Sequence, residues 1–274
     1  MKEPNQKVRE ILFDLQGIDV SIYDEVFLNK SIETRMRETS CQTIDSYLNI
    51  LRTDSTEFHR FEQSLQINFS TFFRNPLTFS VLEKIILPAL DLKIRNKLKN
   101  EIRIWSAACA GGQEVYSLAM LINELNDRTE HSLKFRIFAT DQSADQVQKA
   151  SKGLYLSSTL GNLSLSRFNN WFTAEGDFCK VKPVLKSNIE FSVFDLLDST
   201  RAVPPTCIFG DFDLVFLSNL LFYYKPELQH KMLEKAKNAV AKNGFLITGE
   251  TEREILLKNN FREIYPQSGI FQSD

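Results

Sequence analysis

The chain changes its hydrophobic period near residue 100, and that change restricts its fold more than any other feature. From Val8 to Leu51 apolar residues recur at three and four: Val8, Ile11, Leu12 and Leu15, then Val26 and Phe27, later Ile44, Tyr47, Leu48 and Leu51. This is helical spacing, broken near Gly17 and Ser40 and resumed over 56–66. The spacing predicts an all-helical domain over 1–66, then a linker and helix over 67–100 leading into a core. After Glu101 strands and helices alternate. Ile102–Trp105 reads as a strand and the Val115–Leu118–Ala119–Ile122 stripe as a helix. Phe135–Ala139 reads as a strand ending in Thr140–Asp141, and Ser143–Lys152 as a helix with a serine N-cap. Ile189–Phe194 and Leu214–Leu217 are two further strands. Pro226–Ala241 is a helix closed by Asn243–Gly244, and Phe245–Thr248 is another strand. The tail FREIYPQSGIFQS predicts a hairpin turning at Pro266–Gly269. Such alternation specifies an α/β fold, a mainly parallel sheet with helices on both faces. It lapses between Gly153 and Asn188, over a stretch too long for a simple connection, which predicts a small subdomain at about 153–188 within a core of 101–274.

The bulk numbers exclude several functions. With 33 Lys and Arg against 35 Asp and Glu, the net charge of −2 argues against a general nucleic-acid binder. The longest apolar runs fall short of a membrane span. MKEPNQKVRE lacks the apolar centre of a signal peptide, so the expectation is a cytoplasmic protein without membrane insertion. Cys41, Cys109, Cys179 and Cys207 show no paired spacing; they read as free thiols, with no metal site expected.

The segment IWSAACAGGQEVYSLAM, Ile104 to Met120, carries the chemistry. A small-residue loop leaving the first strand lets backbone approach a ligand beyond the carboxyl ends of the strands. Gly111 and Gly112 are the residues expected to permit the turn. Asp141, ending the next strand, has the place of an acid that accepts ribose hydroxyls, at a spacing somewhat wider than the roughly 20 residues of the dinucleotide fold. No lysine follows the glycines, so a phosphate loop is not indicated. Glu114, just inside the helix, would repel a phosphate and suit a cation. S-adenosylmethionine, with an ammonium, a sulfonium and a ribose, matches both acids. The competing reading is a tight turn, with Glu114 compensating the helix dipole and Asp141 capping a helix.

The same segment resembles the W-S-A-x-C-S-T-G-E-E-P-Y-S-L-A-M signature of the CheR family, the S-adenosylmethionine-dependent chemoreceptor glutamate methyltransferases. NFSTFFRNP resembles that family's N-x-T-x-F-F-R-E segment, FATDQSADQVQKASKGLY its A-T-D-I-S-x-x-x-L-x-x-A-x-x-G-x-Y, FSVFDLLD its F-x-x-x-N-L-L, and FDLVFLSNLLFYY its F-D-x-I-F-C-R-N-V-L-I-Y-F. The five stretches stand in family order. The resemblance implies a helical N-terminal domain, a Rossmann-like methyltransferase core and an inserted antiparallel β-subdomain. It places S-adenosylmethionine, with S-adenosylhomocysteine as product, near Asn68, Ser70, Arg74, Gly112, Glu114, Asp141, Asp195, Leu196, Ser218 and Asn219. It also implies that Glu114 holds the cofactor amino group, that Asp195 and the Leu196 N–H read adenine, and that Arg74 and Tyr223 are catalytic. Arg74 pairs with the cofactor carboxylate or the incoming glutamate, and Tyr223 positions the attacking oxygen. An ionised glutamate needs no general base, and none of His59, His131 and His230 lies in a matched stretch. The implied partner is the cytoplasmic helical region of chemoreceptors, met by a monomer.

The sequence departs from the family pattern at several positions. The arginine of C-R-N is Ser218, the asparagine of N-L-L is Asp195, the glutamate after F-F-R is Asn75, and G-H-S-E reads Gly249–Glu250–Thr251–Glu252. These departures keep two alternatives open: a weak or inactive relative that binds cofactor or partner as a regulatory module, and a methyltransferase for another acceptor. The insert has few glycines, which favours a member that does not bind a receptor pentapeptide. Lys30, Arg35 and Arg37 offer a basic face to an acidic receptor helix, against the plainer reading of a solvated helix surface.

Overall fold

The computed structural model describes residues 4–65, 70–96, 98–129, 133–207 and 209–272. Backbone contacts divide the chain into two compact units, residues 1–67 with 222–229, and residues 68–221 with 230–274. In the smaller unit α1 (Pro4–Gln16), α2 (Glu25–Glu38), α3 (Ile44–Thr53) and α4 (Ser55–Leu65) bury Val8, Leu12, Leu28, Tyr47 and Phe61. Gly17 and Ser40, the predicted breaks, both take left-handed backbone, with φ of 69° and 57°. Asp24 accepts from the Val26 and Phe27 N–H groups to start α2, and Thr43 caps α3.

Arg35 does not join Lys30 and Arg37 on a basic surface. It is buried, its Nε donating to Glu57 Oε1 at 2.9 Å, and the Tyr47 hydroxyl donates to the same oxygen at 3.0 Å. A buried guanidinium persists only when paired in this way, so the helix bundle consumes its charge. The segment Phe222–Gln229 belongs to this unit. The Asp24 N–H donates to the Tyr223 carbonyl at 2.8 Å and the Lys225 N–H to the Ile22 carbonyl at 3.1 Å.

In the larger unit α5 (Pro76–Val81) runs through a π turn at Leu82–Ile86 into α6 (Leu87–Arg95). These residues bury Phe79, Leu82, Ile86 and Leu90 in the main core, where a linker and helix are expected from sequence. There follow β1 (Ile102–Ser106), α7 (Gln113–Asp127), β2 (Phe135–Asp141) and α8 (Ala144–Lys152). Next come β3 (Leu154–Leu156), α9 (Leu165–Trp171), β4 (Phe172–Glu175), β5 (Phe178–Val181) and α10 (Pro183–Lys186). The chain continues with β6 (Ile189–Val193), β7 (Phe212–Leu217), α11 (Pro226–Ala239), β8 (Val240–Thr248), α12 (Arg253–Lys258), β9 (Arg262–Glu263) and β10 (Ile270–Gln272). The large sheet has the order β6-β2-β1-β7-β8-β10-β9, and the small one β3-β5-β4. Strands β6, β2, β1, β7 and β8 are parallel, β10 and β9 antiparallel, and the small sheet is wholly antiparallel. The fold is the α/β class expected from the alternation, with its helical N-terminal unit and small inserted sheet.

Alternate residues fill both faces of the large sheet. Ile102, Ile104, Ile137, Ala139, Leu214 and Phe216 join the main core. Trp105, Phe138 and Phe212 form an aromatic cluster with Phe194, and the Trp105 indole N–H donates to Thr140 Oγ1 at 3.0 Å. Asn243–Gly244 does not close α11. The helix ends at Ala239, and β8 already starts at Val240, pairing with Phe212 before a register shift. Asn243 takes a φ of 61° inside this irregular strand, and a Cβ at Gly244 would stand 2.9 Å from the Phe212 carbonyl oxygen. The dipeptide marks a bulge with close backbone approach.

Candidate functional site

The strand order reverses between β1 and β7: from β1 the chain winds outward through β2 and β6, then returns to lay down β7 and β8. Open α/β sheets bind ligands at this point, beyond the carboxyl ends of the strands. Four of the sequence-predicted stretches end here. Gly112 and Glu114 follow β1, Asp141 ends β2, Asp195 and Leu196 follow β6, and Ser218 and Asn219 follow β7.

The loop after β1 is tied down on both sides. The Ala107 N–H donates to the Phe216 carbonyl and the Cys109 N–H to the Thr140 carbonyl, at 2.9 and 2.8 Å. Only one of its glycines supplies left-handed backbone. Gly112 has a φ of 87°, whereas the second left-handed residue is Ala110, at 45°, and not Gly111. Ala110 is held there because its N–H donates to Asp141 Oδ2 at 2.9 Å. Gly112 also lies close against α8, where a Cβ would stand 2.9 Å from the Ala150 Cβ. The Tyr155 hydroxyl, from the insert, donates to the Gly111 carbonyl at 2.6 Å.

Asp141 is 9% exposed. Its other oxygen accepts from the Ser143 N–H at 2.9 Å. Burial raises its pKa, against the pull of those two N–H groups. Each oxygen has one bond and a lone pair to spare, which suits acceptance from two neighbouring hydroxyls. Glu114 is poorly compensated. Ser106 Oγ donates to its Oε1 at 2.9 Å; Ser218 hydrogen-bonds to it, and Arg74 acts on it through space. Burial prevails, with the Glu252 charge adding to it, and the carboxyl is pushed up to about 7. Glu114 does not cap its helix; the hydrogen bonds run to hydroxyls at the ends of β1 and β7. Burial pushes the Cys109 thiol up, and the charges of Asp141 and Glu114 add to it. A nucleoside bearing a cation fits these two acids: spare acceptor capacity at Asp141 and a half-buried acid at Glu114 without a full complement of donors.

The other predicted residues are placed as follows. Asp195 is exposed and its Oδ1 accepts from the Leu197 N–H at 2.8 Å, while Leu196 is buried. The Phe194 N–H ties this turn to the Asp141 carbonyl at 2.9 Å. Ser70 and Arg74 are half-buried in the segment before α5, and Asn68 lies outside the described residues. Tyr223 groups with the helical unit, its ring meeting Phe27 edge-on with centroids 4.7 Å apart.

One residue with a large role carries no assigned task in the sequence reading. Glu252 is fully buried, and its carboxylate accepts from the N–H groups of Asn219, Leu220, Leu221 and Gly249 at 2.5–3.1 Å and from the Thr248 hydroxyl at 2.9 Å. It fixes the turn that carries Ser218, and Asn219 takes left-handed backbone there, with a φ of 58°. Its place in the G-H-S-E-like stretch is the signal that points to it.

Residues 5–65 match the family model described as "CheR methyltransferase, all-alpha domain", and residues 68–269 match "CheR methyltransferase, SAM binding domain". Among curated proteins, a chemotaxis protein methyltransferase of Borreliella burgdorferi is 26% identical over 92% of this chain and 88% of its own length. Chemotaxis protein methyltransferase 1 of Pseudomonas aeruginosa is 33% identical over 76% of this chain and 74% of its own. An uncharacterized 104.1 kDa protein of Rhodobacter capsulatus is 29% identical over 97% of this chain, which spans only 27% of that longer protein.

Proposed function

The chain belongs to the CheR methyltransferase family, and from that premise we propose that it transfers methyl groups from S-adenosylmethionine to glutamate side chains of chemotaxis receptors, forming esters. The observation that carries this reading is the pair of acids at the switch point, Glu114 bonded to Ser106 at the end of β1 and Asp141 bonded to Ala110 in the loop that follows. In this reading Asp141 accepts both ribose hydroxyls, and Glu114 ionises to meet the cofactor ammonium. Asp195 and the Leu196 N–H address the adenine edge. The cofactor supplies a methyl group already activated by its sulfonium.

The chain's own task is alignment and exclusion of water. A glutamate acceptor is ionised near neutral pH and requires no base. Arg74, beside Glu114, orients a carboxylate, and Tyr223 holds the attacking oxygen. The acceptor in this reading lies in a cytoplasmic receptor helix. Incubation with methyl-labelled S-adenosylmethionine and recombinant receptor cytoplasmic fragments tests the reading. Base-labile label on glutamate is expected. A protein that binds S-adenosylhomocysteine yet labels no glutamate overturns it, and a base-stable product points to another acceptor.

A further inference from the structure

Arg74 sits between two left-handed residues that are not glycine, Phe73 with φ 50° and Asn75 with φ 60°. Such backbone is costly outside glycine and persists only where its surroundings over-determine it. The surroundings are specific. The Phe73 N–H donates to Ser117 Oγ on α7 at 2.9 Å, and that hydroxyl donates on to the Gln113 carbonyl. The Phe79 ring of α5 meets Phe73 edge-on with centroids 5.2 Å apart, and further restraints come from the insert. Asn162 donates to the Phe72 carbonyl at 3.2 Å, and the Phe72 ring lies edge-on to Tyr155 and Phe172, with centroids 5.0 and 5.5 Å away. The Arg167 guanidinium stands 4.1 Å from the centre of the Phe73 ring.

Arg167 is itself locked. Two of its nitrogens donate to the two oxygens of Glu124 at 2.9 Å each, and Glu83 lies 3.5 Å away. A guanidinium held this way presents a flat cationic face to the ring. We infer that Arg167 is a positioning residue for Arg74: clamped by Glu124 and Glu83, it fixes the Phe73 ring and with it the left-handed turn that carries Arg74. On this account the inserted subdomain shapes the reaction centre through Phe72 and Phe73, whatever else it binds. The inference rests on the reading of Arg74 given above.

The test is a double-mutant cycle of Arg167→Met and Arg74→Ala, read as kcat/KM for labelled methyl transfer to a recombinant receptor cytoplasmic fragment. Calorimetric S-adenosylhomocysteine binding and thermal unfolding are followed in parallel. Arg167→Met is expected to lower kcat/KM by roughly tenfold, and the double variant to be no worse than Arg74→Ala alone within about twofold. Penalties that multiply overturn the inference. Undiminished transfer by Arg74→Ala instead removes the reading of Arg74 itself. Phe73→Leu keeps an apolar, somewhat smaller side chain but loses the ring face, so it replaces Arg167→Met in the cycle if that variant unfolds. Phe73→Leu is then expected to add no more than about a twofold loss on the Arg74→Ala background, and a further tenfold loss there counts against the clamp.

Discussion

Two glutamates stand beside neighbouring turns at the carboxyl ends of the strands, Glu252 buried and Glu114 half-buried, and they are treated oppositely. Glu252, near the end of β8, has five donors, four of them backbone N–H groups. Glu114, after β1, has two hydroxyls and the more distant Arg74. Burial raises both pKa values. A buried anion with its lone pairs filled is a structural pin; one left short of donors is poised for a cation. The contrast separates scaffold from site without reference to any relative.

The comparison breaks most visibly at Glu252. Glu252→Ala leaves several N–H groups buried without acceptors, and we expect a loss of about 3–5 kcal/mol in unfolding free energy, measured by urea denaturation. Glu114→Gln is expected to leave the fold intact. A loss below about 1 kcal/mol for Glu252→Ala would erase the distinction.

The next largest effect is a pH dependence. Glu114 has its ordinary carboxyl pKa of 4.5 when the chain is unfolded and titrates at about 7 when folded. Between those values the folded protein holds a proton that the unfolded chain has lost, so stability falls as pH rises through the window. The loss amounts to at most about 3 kcal/mol and is complete above about pH 7. Asp141 and Glu252 are raised too, so the informative quantity is the difference between wild type and Glu114→Gln. A flat difference between about pH 5 and about pH 7.5 would show that Glu114 is ionised throughout.

Asp141 sharpens the comparison on the ligand side. Asp141→Ala frees the Ala110 N–H and removes the acceptor proposed for the ribose hydroxyls. S-adenosylhomocysteine binding is expected to weaken by about 1–3 kcal/mol in calorimetry. Unchanged affinity would leave Asp141 as a brace for the loop and nothing more.

Much of this was legible in the sequence because period and punctuation are local. The helical spacing of Val8–Leu51, the strand ending in Asp141 and the serine cap at Ser143 all follow from neighbours in the chain. The loop between β1 and α7 was legible as a loop, but not which residues bend. Ala110, with a side chain that disfavours left-handed backbone, is held there by the bond its N–H donates to a residue 31 positions away. Asn243–Gly244 misleads because the same dipeptide serves a helix end and a strand bulge, and only the pairing with Phe212 decides between them. Arg35 and Glu252 hide for the same reason. A charge reads as exposed until its partners, Glu57 or a distant turn, come together in three dimensions.

The smallest effect tests the point where the two turns touch. Ser218 stands where the family pattern has arginine, and its hydrogen bond to Glu114 favours the ionised carboxylate. Ser218→Ala removes one neutral hydrogen bond, worth about 1 kcal/mol, so Glu114 should titrate higher by less than about one unit. Ser218→Arg should move the titration the other way, because a neighbouring cation favours the charged acid. S-adenosylhomocysteine affinity measured against pH reads both, since a ligand ammonium requires the ionised form. Midpoints displaced in opposite directions would identify residue 218 as the group that tunes Glu114. Midpoints that stay together would mean that burial alone sets its titration, and that the exchange of arginine for serine acts elsewhere.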